Sequence, residues 1–527
     1  MTVELRNTLD TGLENELILD ILSYSGGELT VPEDHVLKAN EARIVKNWDA
    51  ISLGGMQRTK GFNQVASGAT GLGASASSLG HFHYKDSDGS SEVLGIFGTG
   101  LYKQDSEGID LITGGVFTSG ELHHAVDGDD DAWITSLTDN LRRYTISGGL
   151  VTPADQPTTG MERIYRHKNR LIAEGGSDTV EGSRAGVGNW TAADAWSLAN
   201  DAWSISLPNI TKGGVPGFPS GDEFLVFTEF EAFSLYGFPN VAFRPIPGAR
   251  GCSAPYSIAL GDEGVFFVSR RPTLGVYLYD GVRFTNLTRN NEDVFTEKID
   301  FSKRINGIYR NNRYHLFYNE LNSGVTYQNR WRILDMKFGR WMEREVNSAV
   351  ADNFGIPFLL TKQNNELYSF SSREVLLYEL ETDDESDEGE DTEADYKTKN
   401  FTSRDFSEAS SGRQFPVDDI LMKLLKTTVT YYGTVGNITL QWTADEGKYS
   451  GEQTFDLTAE GDLINTTFIV NTSKVISSGS IANRVITKTF SNAAIGRRFN
   501  FQILNEGTST RPKVKKIKIY AEALSDL

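Results

Sequence analysis

The chain has 527 residues, with 51 Lys and Arg against 71 Asp and Glu, so its formal net charge is −20. Hydrophobic residues make up 39% of the chain and charged residues 23%, which is typical of a folded globular protein and excludes disorder of the whole chain. The acidic balance argues against a general nucleic-acid-binding protein, because neutralising phosphates needs an excess of Lys and Arg.

The composition favours an all-β fold. Glycine is abundant at 52 residues and proline is scarce at 14, a profile typical of short strands joined by Gly-rich turns. The single cysteine, Cys252, excludes an intramolecular disulfide and a Cys-based zinc site, and we expect it to be a buried small hydrophobe. The first residues lack a signal-peptide pattern and no segment resembles a membrane span, so we expect cytoplasmic synthesis without membrane insertion.

Residues 1–60 show little regular patterning. A weak alternation over residues 47–53, followed by Gly54-Gly55, indicates a strand and a turn. We predict that residues 1–60 form an extended N-terminal segment that includes a ring-closing strand.

A loose repeat follows over residues 61–380. Each unit has a short hydrophobic strand, a Gly or Asp turn and a second strand rich in Tyr, Phe or Leu, as in Val93–Phe97 followed by Gly100–Lys103. Units recur at a spacing of about 30–50 residues, which is typical of radially arranged repeats. The pattern predicts a β-propeller with six or seven blades, seven being favoured. Two successive β-sandwiches are the alternative interpretation.

Residues 381–395 mark a break in composition, with ten acidic side chains in fifteen positions and no basic one. Like charges at this density repel one another, so we predict an acidic linker or loop. The alternative is a strip that binds cations or tunes a contact. The candidate interface or channel residues here are Asp383, Asp384, Glu385, Asp387, Glu388, Glu390 and Asp391.

Residues 396–527 are predicted to form a β-sandwich. Leu424–Tyr431, Asn437–Trp442 and Arg498–Ile503 all alternate at period two. Such alternation is typical of antiparallel sheets with one face in water.

Two tryptophans are further candidates for an interface. Trp196 and Trp203 are one heptad apart, so on a helix they would share a face. Exposed, they would anchor a partner, since tryptophan is favoured at binding hot spots. Buried, they would belong to the core.

Two histidine pairs are candidate metal ligands. His81 and His83 would face the same side of a strand, but no third ligand stands at a fixed offset. His123-His124 precede an acidic turn that lacks the spacing of a calcium loop. We therefore expect no metal, no other cofactor and no catalytic residues, and we classify the chain as non-enzymatic.

The N-terminal sequence resembles a known family. Ser25–Pro32, Asn40–Arg43 with Asn47-Trp48-Asp49, and Gly54–Phe62 resemble the opening of tail hub or nozzle proteins of short-tailed phages, also described as packaged-DNA stabilisation proteins. Gly264–Gly281 and Tyr396–Phe401 extend the resemblance over residues 20–520, while the acidic insert and residues 176–212 depart from it.

The resemblance implies a virion structural protein. In that family several copies, typically six, form a ring below the portal and adaptor that retains the packaged genome and extends the channel for DNA ejection. The implied partners are other copies of the chain, adaptor or portal-proximal proteins, distal tail proteins and DNA in passage, without sequence-specific binding. An acidic channel wall would repel DNA phosphates and let the polymer slide.

Two other functions fit the same patterns. A propeller that binds a receptor or glycan, possibly with hydrolytic activity, would use aromatic residues near its central channel. A cellular adaptor built on a propeller would need a specific partner and no particle. The fold alone does not choose among these functions.

Overall fold

The structure is a computed structural model of the chain. It describes residues 16–21, 27–28, 41–50, 55–67, 78–86, 88–105, 108–117, 122–126, 131–136, 139–157, 161–186, 190–271, 273–288, 295, 299–321, 330–344, 361–363, 366–370, 376–381, 393–408, 420–432, 436–457, 462–463, 484–490, 494–505 and 512–524.

The chain divides into two compact units, each described here by itself. Lys60–Lys337 with Val346–Glu388 form the propeller unit. Met1–Thr59, Phe338–Glu345 and Gly389–Leu527 form the discontinuous unit. In the described ranges, strands dominate both units, with three-residue 3₁₀ turns at Leu198–Asn200, Pro255–Ser257 and Ser403–Asp405. The predicted all-β class is confirmed.

The N-terminal strands belong to the discontinuous unit. They are β1 (Glu16–Ile21), β2 (Gly27–Glu28), β3 (Glu41–Lys46), β4 (Trp48–Ala50) and β5 (Met56–Arg58).

The propeller unit begins with β6 and continues through five blades, each an antiparallel sheet of four consecutive strands. The strands are β6 (Phe62–Ser67); first blade β7 (Ser78–Lys85), β8 (Ser91–Phe97), β9 (Gly100–Asp105), β10 (Gly108–Val116); second blade β11 (His123–Val126), β12 (Ala132–Thr135), β13 (Arg142–Thr145), β14 (Gly149–Val151); third blade β15 (Arg163–His167), β16 (Arg170–Glu174), β17 (Thr179–Gly182), β18 (Trp203–Ser206); fourth blade β19 (Thr211–Pro216), β20 (Phe224–Thr228), β21 (Ala232–Tyr236), β22 (Ala242–Pro245); fifth blade β23 (Ala259–Gly261), β24 (Gly264–Ser269), β25 (Gly275–Tyr279), β26 (Phe284–Asn286).

Two further groups of strands follow. β27 (Asn306–Arg310), β28 (Arg313–Tyr318) and β29 (Arg330–Asp335) pair antiparallel in sequence order. β30 (Arg340–Arg344) belongs to the discontinuous unit. The closing blade combines β31 (Thr361–Gln363), β32 (Glu366–Phe370) and β33 (Leu376–Leu380) with the N-terminal strand β6.

The strand that completes the closing blade comes from far upstream. β6 pairs antiparallel with β33, from Phe62 opposite Leu380 to Ser67 opposite Leu376. It lies just beyond the predicted boundary at residue 60, because the ring closes on the first strand that enters the propeller unit. This pairing removes a free sheet edge from the blade.

The core of the propeller unit lies between successive blades. Buried side chains form separate clusters at the junctions between the first and second blades, the second and third, the third and fourth, and the fourth and fifth. Cys252 is fully buried in the last of these, as expected. The propeller is therefore confirmed with six separate four-stranded blades, while the favoured count of seven stays a prediction.

The discontinuous unit contains two rows of strands. Its other strands are β34 (Ala394–Phe401), β35 (Ser407–Glu408), β36 (Met422–Tyr432), β37 (Asn437–Ala444), β38 (Tyr449–Asp456), β39 (Asp462–Leu463), β40 (Arg484–Thr489), β41 (Ile495–Gly496), β42 (Phe499–Asn505) and β43 (Lys513–Ala523). One row runs β35-β1-β43-β36-β40-β39 and the other β30-β3-β34-β42-β37-β38.

Burial alternates along β37 as the sequence predicts. The side chains of Ile438, Leu440, Trp442 and Ala444 are buried, while those between them are half-buried or exposed. This strand therefore has one apolar and one wet face. Among the residues that the structure describes, no helix is long and apolar enough to span a membrane.

Candidate functional site at the first strands of the blades

The first strands of successive blades are neighbours in space. β31 contacts β7, β7 contacts β11, β11 contacts β15 and β15 contacts β19. These strands carry an unusual density of histidine, arginine and tyrosine. We call Phe82, His123, His124, Arg163, Tyr165 and Glu174 the inter-blade network.

His124 connects the first two blades. Its imidazole stacks on Phe82 of β7, with ring centroids 3.9 Å apart and planes within 8°. Burial lowers the pKa of His124 to about 4, because an apolar site disfavours the charged imidazolium. At neutral pH this ring is therefore an uncharged stacking partner.

His123 connects the second and third blades. Its Nδ1 accepts the backbone N–H of Ile164 at 3.3 Å, and its ring meets Tyr165 edge to face at 4.9 Å. Burial holds the pKa of His123 well below its usual range, and the neighbouring His124 adds to this effect. The accepting nitrogen needs the neutral form, so the hydrogen bond and the lowered pKa agree.

A buried ion pair lies within the third blade, and its arginine also contacts the fourth blade. Arg163 Nε donates to Glu174 Oε1 at 2.5 Å, and both side chains are at most 3% exposed. Arg163 Nη2 also lies 3.5 Å from the carbonyl oxygen of Thr211 in β19. Burial alone would lower the pKa of Arg163, but the Glu174 carboxylate together with Tyr165 and Tyr256 outweighs it, and the pKa is raised.

Tyr165 completes the network. Its hydroxyl donates to Glu174 Oε1 at 3.1 Å and accepts the backbone N–H of Gly214 at 3.0 Å. Burial and the Glu174 charge raise the pKa of Tyr165 well above its usual value. Both hydrogen-bonding roles of the hydroxyl are thus used, one within the third blade and one on the fourth.

A second arginine adds positive charge close to the network. The Arg304 guanidinium lies 3.4 Å from the ring centroid of Tyr256, a cation–π contact, and its Nε donates to Asn306 Oδ1 at 3.1 Å. Its charge is one of the smaller causes that lower the pKa of His81 and His123. Protonating these histidines would place like charges together.

The side chains of the network form non-covalent contacts between blades. Its imidazoles are neutral at pH 7, its carboxylate is paired and its tyrosine hydroxyl is fully hydrogen-bonded. Within the described part of the chain, no group of three or more His, Cys, Asp or Glu is arranged to hold a metal ion. The arrangement connects four successive first strands, and its two charged groups, Arg163 and Glu174, neutralise each other.

The first histidine pair, His81 and His83, lies in β7. His81 is 2% exposed, and His83 is half-buried. Burial lowers the pKa of His81 to about 3, and the nearby backbone of Tyr368 in the closing blade only partly offsets this. His81 therefore belongs to the junction between the closing and first blades.

The two candidate tryptophans do not share a helix face, so the helical interpretation is wrong. Residues 190–203 form turns and the short 3₁₀ turn that lead into β18. Trp203 is the first residue of this strand, where it pairs with Gly182 of β17. Trp203 is 7% exposed in the cluster between the third and fourth blades. Trp196 is half-buried against the cluster between the second and third blades.

The seven acidic candidates, Asp383, Asp384, Glu385, Asp387, Glu388, Glu390 and Asp391, lie outside the described residues. Of the acidic run, Glu381 is described in the propeller unit, where it pairs with Arg310 at 2.9 Å. The role of the run stays a prediction.

Sequence reasoning missed Arg163, Tyr165 and Glu174. The signal available was the alternation of polar and apolar residues in Arg163-Ile164-Tyr165, which is typical of a short strand. Glu174 gave no signal, because its partner is set by the pairing of β15 with β16.

Comparisons with known proteins add little. No family model and no curated protein matches the chain. Among solved structures, the chain is similar to U3-55K (8% identity, TM-score 0.38, 61% of this chain and 98% of that one) and to the β-propeller domain of Cps50 (Swd1) from Myceliophteria thermophila (9%, 0.38, 61% and 99%). It is also similar to PorZ, a surface component of the type-IX secretion system of Porphyromonas gingivalis (12%, 0.39, 61% and 38%).

Proposed function

We propose that this chain is a non-enzymatic structural protein of a phage tail, part of a nozzle or hub ring that retains the packaged genome and forms the channel for DNA ejection. The resemblance of the N-terminal sequence supports the family. The inter-blade network supports the mechanical part, since it cross-links four successive first strands with buried, neutral or paired groups.

The proposal includes a finer architecture. β27, β28 and β29 follow the fifth blade in sequence, and β27 contacts β23, so we assign them to a seventh blade. The two strand rows of the discontinuous unit are assigned to a β-sandwich, which the alternating burial of β37 supports. Six copies would form the ring.

The charge of the chain fits this role. A ring of six would carry six times the net charge of −20. A channel wall of the same sign as DNA would repel the phosphates, so DNA would slide without sticking. A Lys- or Arg-lined bore would contradict this part of the proposal.

Labelling of particles tests the proposal. A C-terminally tagged copy expressed during infection is labelled with gold and viewed by negative-stain electron microscopy. We expect label at the single tail vertex. Label that is absent from particles, or that follows only free protein, would contradict the tail role, and binding to host envelope polysaccharide would then be measured.

A further inference from the structure

A cleft in the discontinuous unit has a charge opposite to that of the whole chain. It encloses about 500 Å³ and lies across the adjacent strands β3, β34, β42 and β37. Three of its lining side chains are cationic, Arg43, Lys397 and Arg498, and one is anionic, Glu446. On a chain with 20 excess acidic charges, this local excess of two positive charges stands out.

Backbone irregularities shape the floor of the cleft. The pairing of β3 with β34 shifts register between Ala42 and Ile44, and that of β34 with β42 between Lys397 and Asn400. Such bulges bend a strand and redirect its side chains. Arg43 and Lys397 both lie at these irregularities.

Hydrogen bonds fix the bulge in β34. Asn500 Nδ2 donates to the carbonyl oxygens of Thr398 and Lys399, at 2.5 and 3.1 Å. The Thr398 hydroxyl donates to the carbonyl of Phe501 and accepts its N–H, both at 3.0 Å. The floor is therefore formed before any ligand arrives, which reduces the entropy lost on binding.

The rim is fixed in the same way. In the turn between β37 and β38, the Asp445 carboxylate accepts the backbone N–H groups of Arg497 and Arg498 at 2.8 and 3.1 Å. This holds the Arg498 backbone beside Gly447 and Glu446. Arg498 itself is exposed at the rim, whereas Arg43 and Lys397 are half-buried.

We propose that this cleft binds an oxyanion ligand with two or more carboxylate or phosphate groups. Two arginines and a lysine around one cavity match such groups, because guanidinium groups bind them in a bidentate manner and ammonium binds them as a point charge. The half-buried cations attract an anion more strongly than exposed ones do. The side chains of Asn400 and Thr443 also line the cleft and add an amide and a hydroxyl group.

The size of the cleft selects among anions. A volume of about 500 Å³ suits a small molecule or a few acidic side chains. Duplex DNA would need many more phosphate contacts than three cations provide. The ligand is therefore either a free polyanion or the acidic residues 383–391 of another copy, which offer the same chemistry.

Isothermal titration calorimetry on the full chain at low salt tests this. The probes are citrate, tripolyphosphate and a synthetic peptide with the sequence of residues 381–395. Arg498→Gln and Lys397→Gln remove a cleft cation, and Lys423→Gln removes an exposed cation from β36 as a matched control for net charge. We expect each cleft variant to raise the Kd about 10-fold and the control to change it less than about 2-fold.

Each outcome of the titrations either identifies the source of the ligand or overturns the proposal. Cleft-dependent binding of citrate or tripolyphosphate assigns a free ligand, and cleft-dependent binding of the peptide alone assigns the acidic run of another copy. Equal weakening by all three variants, or no binding of any probe at millimolar concentration, overturns the proposal. Circular dichroism of each variant shows whether it is folded. None of these outcomes depends on the tail role.

Discussion

The histidines at the blade junctions make the propeller sensitive to acid. His81, His123 and His124 all have pKa values lowered by burial, to about 3 for His81 and about 4 for His124. In the unfolded chain these imidazoles have a pKa near 6.5. Between about pH 4 and pH 6.5 the unfolded state therefore binds more protons, so the stability is complete above this window and falls as the pH decreases through it.

Replacing His124 tests the direction of this change in stability with pH. We expect His124→Asn to lower the stability at pH 7, because the stack on Phe82 is lost, but to reduce the slope of stability against pH between 6.5 and 4. One such group contributes about 1.4 kcal/mol per pH unit. Urea unfolding at pH 7 and pH 4.5 measures the slope. His83 lies less deeply in the protein than His124, so His83→Asn, as a control, should change the slope less. An unchanged slope in His124→Asn would show that this ring titrates normally.

At the scale of the element, one glycine decides how β17 packs against β18. The indole of Trp203 lies directly over Gly182, where an added Cβ would approach Trp203 Cε2 to 2.1 Å. The two residues are opposite each other in the strand pair. A rigid ring buried at this position cannot yield as a flexible side chain could, which identifies Trp203 as a packing residue of the third blade.

Gly182→Ala is therefore expected to destabilise the protein by about 2–3 kcal/mol through overpacking. Gly221→Ala is the matched control, since a Cβ there would meet nothing within 4 Å. Thermal unfolding of both variants measures the difference. Combining Gly182→Ala with Trp203→Leu should recover part of the loss, and additive losses would contradict the contact.

Elements were predicted well where the pattern is local. Val93–Phe97 and Gly264–Val268 match β8 and β24, because a run of apolar residues ended by a turn is sufficient to identify a strand. Trp196 and Trp203 were misassigned because a spacing of seven also occurs across turns. The partners of Arg163 and Glu174 depend on strand pairing and on contacts between blades, which no local pattern reports.

At the scale of the whole molecule, the two units are interleaved in sequence. The chain passes from one unit to the other after residues 59, 337, 345 and 388. β1 pairs with β43 and β3 pairs with β34, so segments at both ends of the sequence build the same sheets. Sequence patterns predicted the strands of residues 396–527 but not these N-terminal partners, because pairing over such separations leaves no local signal.

Fragments test this interleaving. We expect residues 60–388 to unfold cooperatively by themselves, because they contain the whole propeller unit. Residues 389–527 should not, because β43 and β34 would lack β1 and β3. Near-UV circular dichroism and urea unfolding measure both fragments. Joining residues 1–59 to residue 527 through a Gly/Ser linker should restore cooperativity, whereas cooperative unfolding of residues 389–527 alone would contradict the expectation.

The pairing of β6 with β33 also implies a delay during synthesis, because β6 is made long before its partner strand. Roughly 300 residues separate Ser67 from Leu376, so at about 5–20 residues per second β6 is made about 15–60 s before its partner. During that interval the strand edge of β6 has no native partner and is open to pairing with another nascent chain. Slower translation of the blades, or a shortage of chaperones, should therefore increase aggregation before it affects the stability of the finished protein.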